Sequence, residues 1–487
     1  MTQNANISVT LTPELRLGQA LKEAGVKDLA TVTQLTVTGK IDCYDFWYIR
    51  EKMQETLHEL DLGNATIEGN GISFKDFCRL TALTTVILPD SLKWISDNAF
   101  EDCESLTSIT IPNSVIEIGS GAFSNCTGLT SVTIPVKISE IRAGAFSGCN
   151  ELISFAVHPD NLFYTSIDGV LFSKDTTKLI TYPCKRQGGY VIPESVVEVG
   201  FGAFEGCTGL TSVTIPSSAT DIGRWAFNGC TGLTSVLIPD SVTEIGYLAF
   251  DGCNGLLSFA VHPDNPAYTG DDGVLFNKDK TKLIAYPRSR QGEYVIPESV
   301  KEIEPNALCY CRGLTVVTIP KTTTEIIFNP DSSIQKTTFW GCTALTSITV
   351  HPDNPVYASD DGILYDKDKT KLIFCPRGKQ GDYIIPDSVI EIGEASFLGC
   401  TGLTSIVIPD SVTVIGNYAF CYCTGLTSIF IPATVIDIRG WVFEDCTAHI
   451  TVHPDNPVYK NVNGKIRRKR KKNIPQKDKL IRSDNIR

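Results

Sequence analysis

The sequence has no uncharged apolar run near the roughly 18 to 20 residues that cross a bilayer, and no basic segment followed by an apolar one comes after Met1. It therefore predicts no transmembrane segment, and no secretion signal is visible. It also lacks G-x-S-x-G, H-E-x-x-H, P-loop and kinase motifs and any C-x-x-C pair. These absences favour a protein that is not an enzyme and that has no cofactor and no metal site.

Positive charge is scarce except at the C-terminal end. The chain of 487 residues has a net charge of −12, yet residues 465–487 contain 11 Lys or Arg and two acidic residues. The preceding part keeps 32 basic and 53 acidic residues, a net charge near −21, which argues against nucleic acid as its partner because duplex binding needs positive charge. The tail, 460–487, is predicted to be disordered; it is either a solvated or truncated end or a contact for an anionic polymer or membrane surface.

Exact repetition dominates what the sequence does contain. The ten residues CTGLTSVTIP at Cys126–Pro135 recur letter for letter at Cys207–Pro216. Three sets of cysteines have a 23-residue period: 103, 126, 149; 207, 230, 253; and 400, 423, 446. Steps of 58 residues lead from 149 to 207, from 253 to 311 and from 342 to 400. The step from Cys311 to Cys342 is 31 residues, which predicts an added loop within Thr322–Lys336. A fixed period predicts one structural unit stacked on copies of itself.

Within one repeat, Leu129, Val132 and Ile134 form L-x-x-L-x-L, the strand pattern of a leucine-rich repeat. The alternation of 132 and 134 predicts that both side chains point inward. A segment of the type SVxxIG follows, as at Ser241–Gly246, and then "AF" and the cysteine. We expect this second half to be a short extended piece and a tight turn or 3₁₀ segment on the convex side.

The N-terminal region, 1–75, is predicted to be a capping region with an α/β character. Its strand patterns repeat at intervals of 25 and 26 residues, at 32/35/37, 57/60/62 and 83/86/88. The longer interval leaves room for helices, which apolar spacing places at Glu14–Ala24 and Asp45–Glu55. Atypical first repeats are expected because the end of a stack must cover its own core.

A longer unit, which we call an island, recurs at 158–193, 262–297 and 351–386. In it "VLF" and "KLI" flank a turn-forming "NKDKT", which predicts a β-hairpin followed by the return strand "YVIP". The predicted fold is therefore a mainly β leucine-rich repeat solenoid over 76–459. We expect a curved rod of 23-residue coils, on the order of 80 Å long at about 4.8 Å per coil, with three hairpin islands.

The repeat "LTSVTIPxSVxxIGxxAFxxC" resembles the BspA-type, or Treponema pallidum-type, leucine-rich repeat, and "DGVLFNKDKTKLIAYP" resembles the island of that family. The likeness covers about Val32–Tyr459. It implies a surface protein like those of oral and gut bacteria, several of which act as adhesins for fibronectin, fibrinogen or host cells. By this resemblance the chain is at the bacterial cell surface or secreted; without a visible signal peptide, the cytoplasm remains an alternative.

The cysteines and histidines leave alternatives open. Eleven of the seventeen cysteines occupy the repeat position, where stacking favours buried free thiols over scattered disulfides or metal binding. Four histidines lie in "HPDN" segments that are several coils apart. We interpret them as turn residues rather than as metal or acid–base groups.

The remaining candidate is the outward side of the strands, where a partner could bind: Thr214, Leu237, Thr318, Thr349, Val407 and Phe430. Exposed apolar groups on a repeat surface favour a partner contact, although isolated surface residues are the alternative. The function indicated is a non-enzymatic protein-binding scaffold, an adhesin for a host extracellular-matrix or cell-surface protein. The alternative is an intracellular or purely structural protein–protein interaction repeat protein.

Overall fold

The structure, a computed structural model, describes residues 5–326, 338–462 and 465–469. It divides into two compact units, Met1–Ala267 and Tyr268–Arg487. In both units short parallel strands stack coil upon coil, so the predicted leucine-rich repeat solenoid is confirmed. The expected loop within Thr322–Lys336 lies mostly outside the described residues, and the predicted boundaries at residues 75 and 459 stay predictions.

The first unit contains the two α-helices, α1 (Leu17–Glu23) and α2 (Cys43–Met53), and 3₁₀ turns at Leu29–Thr31 and Glu68–Asn70. Its strands are β1 (Ala5–Leu11), β2 (Val32–Ile41), β3 (Glu59–Asp61), β4 (Ala65–Ile67), β5 (Gly71–Ile72), β6 (Thr85–Ile87), β7 (Trp94–Ile95), β8 (Ser108–Ile109), β9 (Glu117–Ile118), β10 (Ser131–Ile134), β11 (Glu140–Ile141), β12 (Ser154–Val157), β13 (Tyr164–Ile167), β14 (Val170–Ser173), β15 (Lys178–Thr181), β16 (Gly188–Val191), β17 (Glu198–Val199), β18 (Leu210–Thr214), β19 (Asp221–Ile222), β20 (Ser235–Ile238), β21 (Glu244–Ile245) and β22 (Ser258–Val261).

The strands of the second unit are β23 (Tyr268–Asp271), β24 (Val274–Asn277), β25 (Lys282–Ala285), β26 (Gly292–Val295), β27 (Glu302–Ile303), β28 (Leu314–Ile319), β29 (Glu325–Ile326), β30 (Ser347–Val350), β31 (Tyr357–Asp360), β32 (Ile363–Asp366), β33 (Lys371–Phe374), β34 (Gly381–Ile384), β35 (Glu391–Ile392), β36 (Leu403–Val407), β37 (Val414–Ile415), β38 (Ser428–Ile431), β39 (Asp437–Ile438), β40 (His449–Val452), β41 (Tyr459–Val462) and β42 (Lys465–Arg468).

Two kinds of sheet result from this stacking. The L-x-x-L-x-L strands, together with β1 and the island return strands β16, β26 and β34, form the strand face. Its sheets are β1-β2-β3-β6-β8-β10-β12 and β16-β18-β20-β22 in the first unit and β26-β28-β30 and β34-β36-β38-β40 in the second. The SVxxIG segments form narrower sheets on another side of each coil. Each island contributes a three-stranded antiparallel hairpin, such as β13-β14-β15, whose last strand pairs in parallel with the next SVxxIG strand, β17. The predicted island hairpins are therefore confirmed.

Aromatic rings and small residues hold successive coils in register. Phe123 stacks between Phe100 and Phe146, with ring centroids 5.2 and 5.4 Å apart. The SVxxIG glycine permits close backbone approach, because a Cβ built on Gly246 would lie 2.3 Å from the backbone nitrogen of Arg224. Each coil thus buries its apolar residues only against its neighbours.

The repeat cysteines form a buried column beside the rings. The Cys126 thiol lies 3.2 Å from the carbonyl oxygen of Phe100, and Cys149 makes the same contact with Phe123. Burial raises the pKa of the Cys149 thiol to about 12, so these groups stay protonated at neutral pH. One pair, Cys184 and Cys207, forms a disulfide, whereas the other fifteen cysteines form no disulfide in the structure.

The N-terminal region has the two predicted helices with somewhat different bounds. Asp42 begins α2 by accepting hydrogen bonds from the backbone N–H groups of Tyr44 and Asp45, and the Asp45 carboxylate accepts from the Asp42 N–H in return. The first strand, β1, was not predicted. It pairs in parallel with β2 and extends the strand face by one strand.

The expectation of disorder from residue 460 onward is wrong for the first part of the tail. Tyr459–Val462 pairs antiparallel with Lys465–Arg468, as the first two strands of each island do. Ile466 is 3% exposed in the apolar cluster of the last coils and pairs with Asn461 as Leu364 pairs with Ser359 in the third island. Ile466, the apolar residue within the basic run, and Tyr459 of the first strand both pack into this cluster. Residues 470–487 lie outside the described part.

Candidate partner-binding strand face

Strand geometry decides which side chains of a coil reach solvent. In β20, Val236 and Ile238 are buried, whereas Leu237 between them is 53% exposed, because successive side chains of a strand point to opposite faces. In-register parallel pairing places Leu237 directly beside Ala260 of β22. Outward residues of successive coils therefore form continuous rows along each sheet.

All six residues proposed from the sequence are on the outer side of strand-face strands, but the structure distributes them among three sheets. Thr214 and Leu237 are on neighbouring strands of one sheet, and Thr318 pairs with Thr349 in a second. Val407 and Phe430 are neighbours in a third sheet, since Ile406 pairs with Ile429. The structure thus brings the six together as three pairs rather than as one patch.

The island return strands add outward residues that the sequence analysis missed. Val191, Val295 and Ile384 are exposed on β16, β26 and β34, next to Thr214, Thr318 and Val407 respectively. The signal was present: "YVIP" and "YIIP" match the "VTIP" ending of the repeat strands. The residue before Ile-Pro is outward in both cases.

With Ile384 beside it, the pair Val407 and Phe430 becomes a row of three apolar side chains. We call Ile384, Val407 and Phe430 the apolar row; they are 70%, 50% and 47% exposed on three adjacent strands. Neighbouring strands lie about 4.8 Å apart, so the three side chains form one continuous surface. The ring of His453 lies 5.9 Å from that of Phe430 and extends the row at its end.

A polar row runs parallel to the apolar row on the same sheet. It consists of the outward residues two positions earlier in each strand: Asp382, Ser405, Ser428 and His449. The Asp382 carboxylate accepts a hydrogen bond of 2.6 Å from the Thr404 hydroxyl. An apolar strip bordered by hydrogen-bonding groups resembles the arrangement of protein–protein interfaces, which have an apolar core and a polar rim.

The histidines of the "HPDN" segments have a local structural role. In each of the four segments the imidazole Nδ1 accepts from the backbone N–H of the aspartate two residues later, at 3.1 to 3.3 Å. Within the described part of the chain, no three His, Cys, Asp or Glu side chains are placed to hold a metal ion. In the same residues, no helix has the length and apolar character that a membrane span requires.

Comparison with protein families identifies the repeat. The sequence model described as "BspA type Leucine rich repeat region (6 copies)" matches residues 70–188, 182–291, 284–378 and 371–463. These matches cover most of the chain. Among curated proteins, no match to the chain was found.

Solved structures of bacterial leucine-rich repeat proteins are similar to this chain. A leucine rich cell surface protein from Faecalibacterium prausnitzii is 27% identical, with 82% of this chain and 85% of that chain covered and a TM-score of 0.42. A leucine-rich repeat protein from Eubacterium ventriosum is 20% identical, with 86% and 90% covered and a TM-score of 0.40. One from Bacteroides ovatus is 20% identical, with 92% of both chains covered and a TM-score of 0.35.

Proposed function

Since the chain belongs to the BspA-type leucine-rich repeat family, we propose that it is a non-enzymatic protein-binding scaffold that acts as an adhesin at a bacterial surface. The partner would be a host extracellular-matrix or cell-surface protein. The surface location rests on the family resemblance, whereas the binding role also has support in the molecule itself.

The apolar row is the observation that carries the binding role. Folding requires the inward residues of these strands, but nothing in the coil requires Ile384, Val407 and Phe430 to be apolar, because all three face solvent. Contiguous exposed apolar groups bordered by polar residues are characteristic of interaction surfaces. A rigid stack of coils also presents such a row without a large entropic cost on binding.

Binding of the full chain to immobilised fibronectin and fibrinogen, with serum albumin as the negative control, tests the proposal. Surface plasmon resonance should show saturable binding to at least one of the two matrix proteins and none to albumin. Protease treatment of intact cells that produce the protein should also remove it. Absence of binding to both matrix proteins, together with protection from protease until lysis, would favour the intracellular interaction protein instead.

A further inference from the structure

The first unit contains a cavity on its turn edge, away from the residues of the strand face. Its volume is about 240 Å³, and its walls include Glu101, Ser120, Ser147, Phe201, Glu205 and Trp225. The residues that converge on it come from coils on either side of the first island. The cavity therefore lies where the first island interrupts the 23-residue period.

Two glycines allow the opposite walls to approach. Gly144 and Gly202 have φ values of 65° and 58°, a region that glycine adopts without steric cost. A Cβ on Gly202 would lie 2.7 Å from the Ser147 hydroxyl oxygen and 3.0 Å from Oε2 of Glu205. A Cβ on Gly144 would lie 3.1 Å from the Phe201 ring. The hydroxyl, the carboxylate and the ring are consequently held close together.

At the corresponding junction of the second unit, around the third island, side chains fill the space that is open in the first unit. By their positions in F-x-G-C, Trp340 and Leu398 correspond to Ser147 and Glu205. There the Arg377 guanidinium lies 3.9 Å from the centre of the Trp340 ring, and Leu398 is buried beside that tryptophan. The stack does not need an open, acidic cavity at this junction, because large side chains close it in the second unit.

The aromatic wall combines two rings with a buried donor. Phe201 and Trp225 have ring centroids 5.4 Å apart. Trp225 has φ 58°, the left-handed conformation that Leu248 and Tyr418 also adopt at the same turn position of other coils, so the turn itself sets this backbone geometry. Its indole Nε1 is buried and has no hydrogen-bond partner among the residues that the structure describes.

Charge at the cavity is negative and only partly compensated. The Glu101 carboxylate lies 3.3 Å from Lys75, whereas Glu205 makes no ion pair with any described residue, and none of the lining residues is Lys or Arg. Burial raises the pKa of Glu205, and a hydrogen bond from the Ser147 side chain opposes that shift. The Arg224 guanidinium lies 5.0 and 5.3 Å from the ring centres of Trp225 and Tyr247, and Arg224 lines a neighbouring pocket rather than this one.

We propose that this cavity binds the protonated ammonium group of a lysine side chain. Glu205 is the counter-ion, and Phe201 and Trp225 are the aromatic walls that attract the cation through their π faces. A charged ligand suits the site better than a neutral one because it forms an ion pair with the Glu205 carboxylate as well as contacting the rings. This site is independent of the strand face and gives the scaffold a second, charge-selective contact.

The indole N–H resonance of Trp225 provides a direct readout. The chain has five tryptophans, and loss of one indole peak in a Trp225→Phe variant assigns the signal. Titration with Nα-acetyl-lysine methylamide should shift that peak saturably and leave the other four in place. The Nε-acetylated form of the same probe, which has no positive charge, should produce no saturable shift.

Matched variants separate the carboxylate from general effects of charge. Glu205→Gln should weaken probe binding by at least about tenfold, as expected for loss of a charge-assisted contact. Glu104→Gln, which removes an exposed carboxylate from an earlier coil, should leave it unchanged. Equal binding by the acetylated probe, no shift with the charged probe, or full binding by Glu205→Gln would overturn the proposal. A saturable shift with glucose or galactose alone would assign the cavity to a saccharide instead.

Discussion

Asn354 forms buried hydrogen bonds at the start of the third island, where the sequence suggested only a turn. Its side chain is fully buried. The amide nitrogen donates to the carbonyl oxygens of Pro320 and Thr323, both at 2.8 Å, and the amide oxygen accepts from the N–H groups of Val356 and Tyr357. It thus joins the island to the preceding coil.

Asn354→Ala should lower the free energy of unfolding by at least about 2 kcal/mol, because it leaves several buried backbone groups without partners at about 1 to 3 kcal/mol each. Urea denaturation followed by circular dichroism measures the change. Asp353→Ala is the control, since that neighbouring carboxylate is almost fully exposed and its loss should cost less than about 0.5 kcal/mol. A similar effect of both changes would show that the bonds of Asn354 are not important for stability.

Buried thiols and phenols make the fold sensitive to alkali. Burial raises the pKa of Cys149 from the usual 9.0 to about 12, and it raises the pKa of Tyr190 and Tyr286 from 10.0 to about 12. The folded pKa is above the unfolded one, so the stability is fully present below pH 9 and is lost as the pH rises toward 12.

We therefore expect the urea midpoint to be nearly constant from pH 7 to 8.5 and to fall steadily between pH 9 and 11. Iodoacetamide at pH 8 should label few thiols in the native chain and most of the seventeen cysteines after unfolding without reductant. A midpoint that does not change up to pH 11, or rapid labelling of the native chain, would contradict a buried thiol column.

At the scale of elements, the hairpin β41–β42 shows how a basic sequence can still form a strand. Lys469 donates from its backbone N–H to the Val458 carbonyl at 2.6 Å, as Lys174 does to Phe163 in the first island. Ile466 is the side chain that anchors the hairpin to the last coils.

Ile466→Asn should release the hairpin and expose the final coil, Trp441–Val452, because a polar amide cannot replace the apolar contacts of the isoleucine. Hydrogen exchange should become faster in the peptides of β40 and β41 and stay unchanged in those of β34 and β36. Arg467→Asn, at an exposed neighbouring position, is the matched control. Unchanged exchange in the Ile466 variant would mean that the hairpin does not protect the last coil.

Regular elements were predictable where one period repeats, and the exceptions have physical reasons. The L-x-x-L-x-L strands and the island hairpins follow from local alternation, whereas β1 depends on pairing with a strand more than twenty residues away. The outward positions of Val407 and Phe430 followed from strand alternation. Ile384 was missed because its strand is part of an island, and only the observed pairing shows that it joins the same sheet.

At the scale of the whole molecule, the two units follow one repeat with different surface chemistry. The first unit has the acidic, aromatic cavity at its island junction, and the second has a closed junction and the apolar row. Neither difference is needed to stack coils. We interpret both as binding surfaces added to a common scaffold, which is consistent with the view that function lies in sites carried by a fold rather than in the fold itself.

Partner binding through the apolar row of Ile384, Val407 and Phe430 is tested most directly by substitution. The double variant Val407→Asp with Phe430→Asp should bind fibronectin or fibrinogen, whichever binds the wild-type chain, at least about tenfold more weakly, a loss of about 1 to 2 kcal/mol. Its melting temperature should remain within about 2 °C of the wild type because both side chains face solvent.

Ile436→Asp is the matched control, since Ile436 is exposed to a similar extent, 49%, but lies next to β39 outside the strand face. Surface plasmon resonance of the three proteins on the same immobilised partner is the deciding measurement. We expect weak binding by the double variant alone. Wild-type affinity in the double variant, or an equal loss in Ile436→Asp, would contradict the strand face as the binding surface.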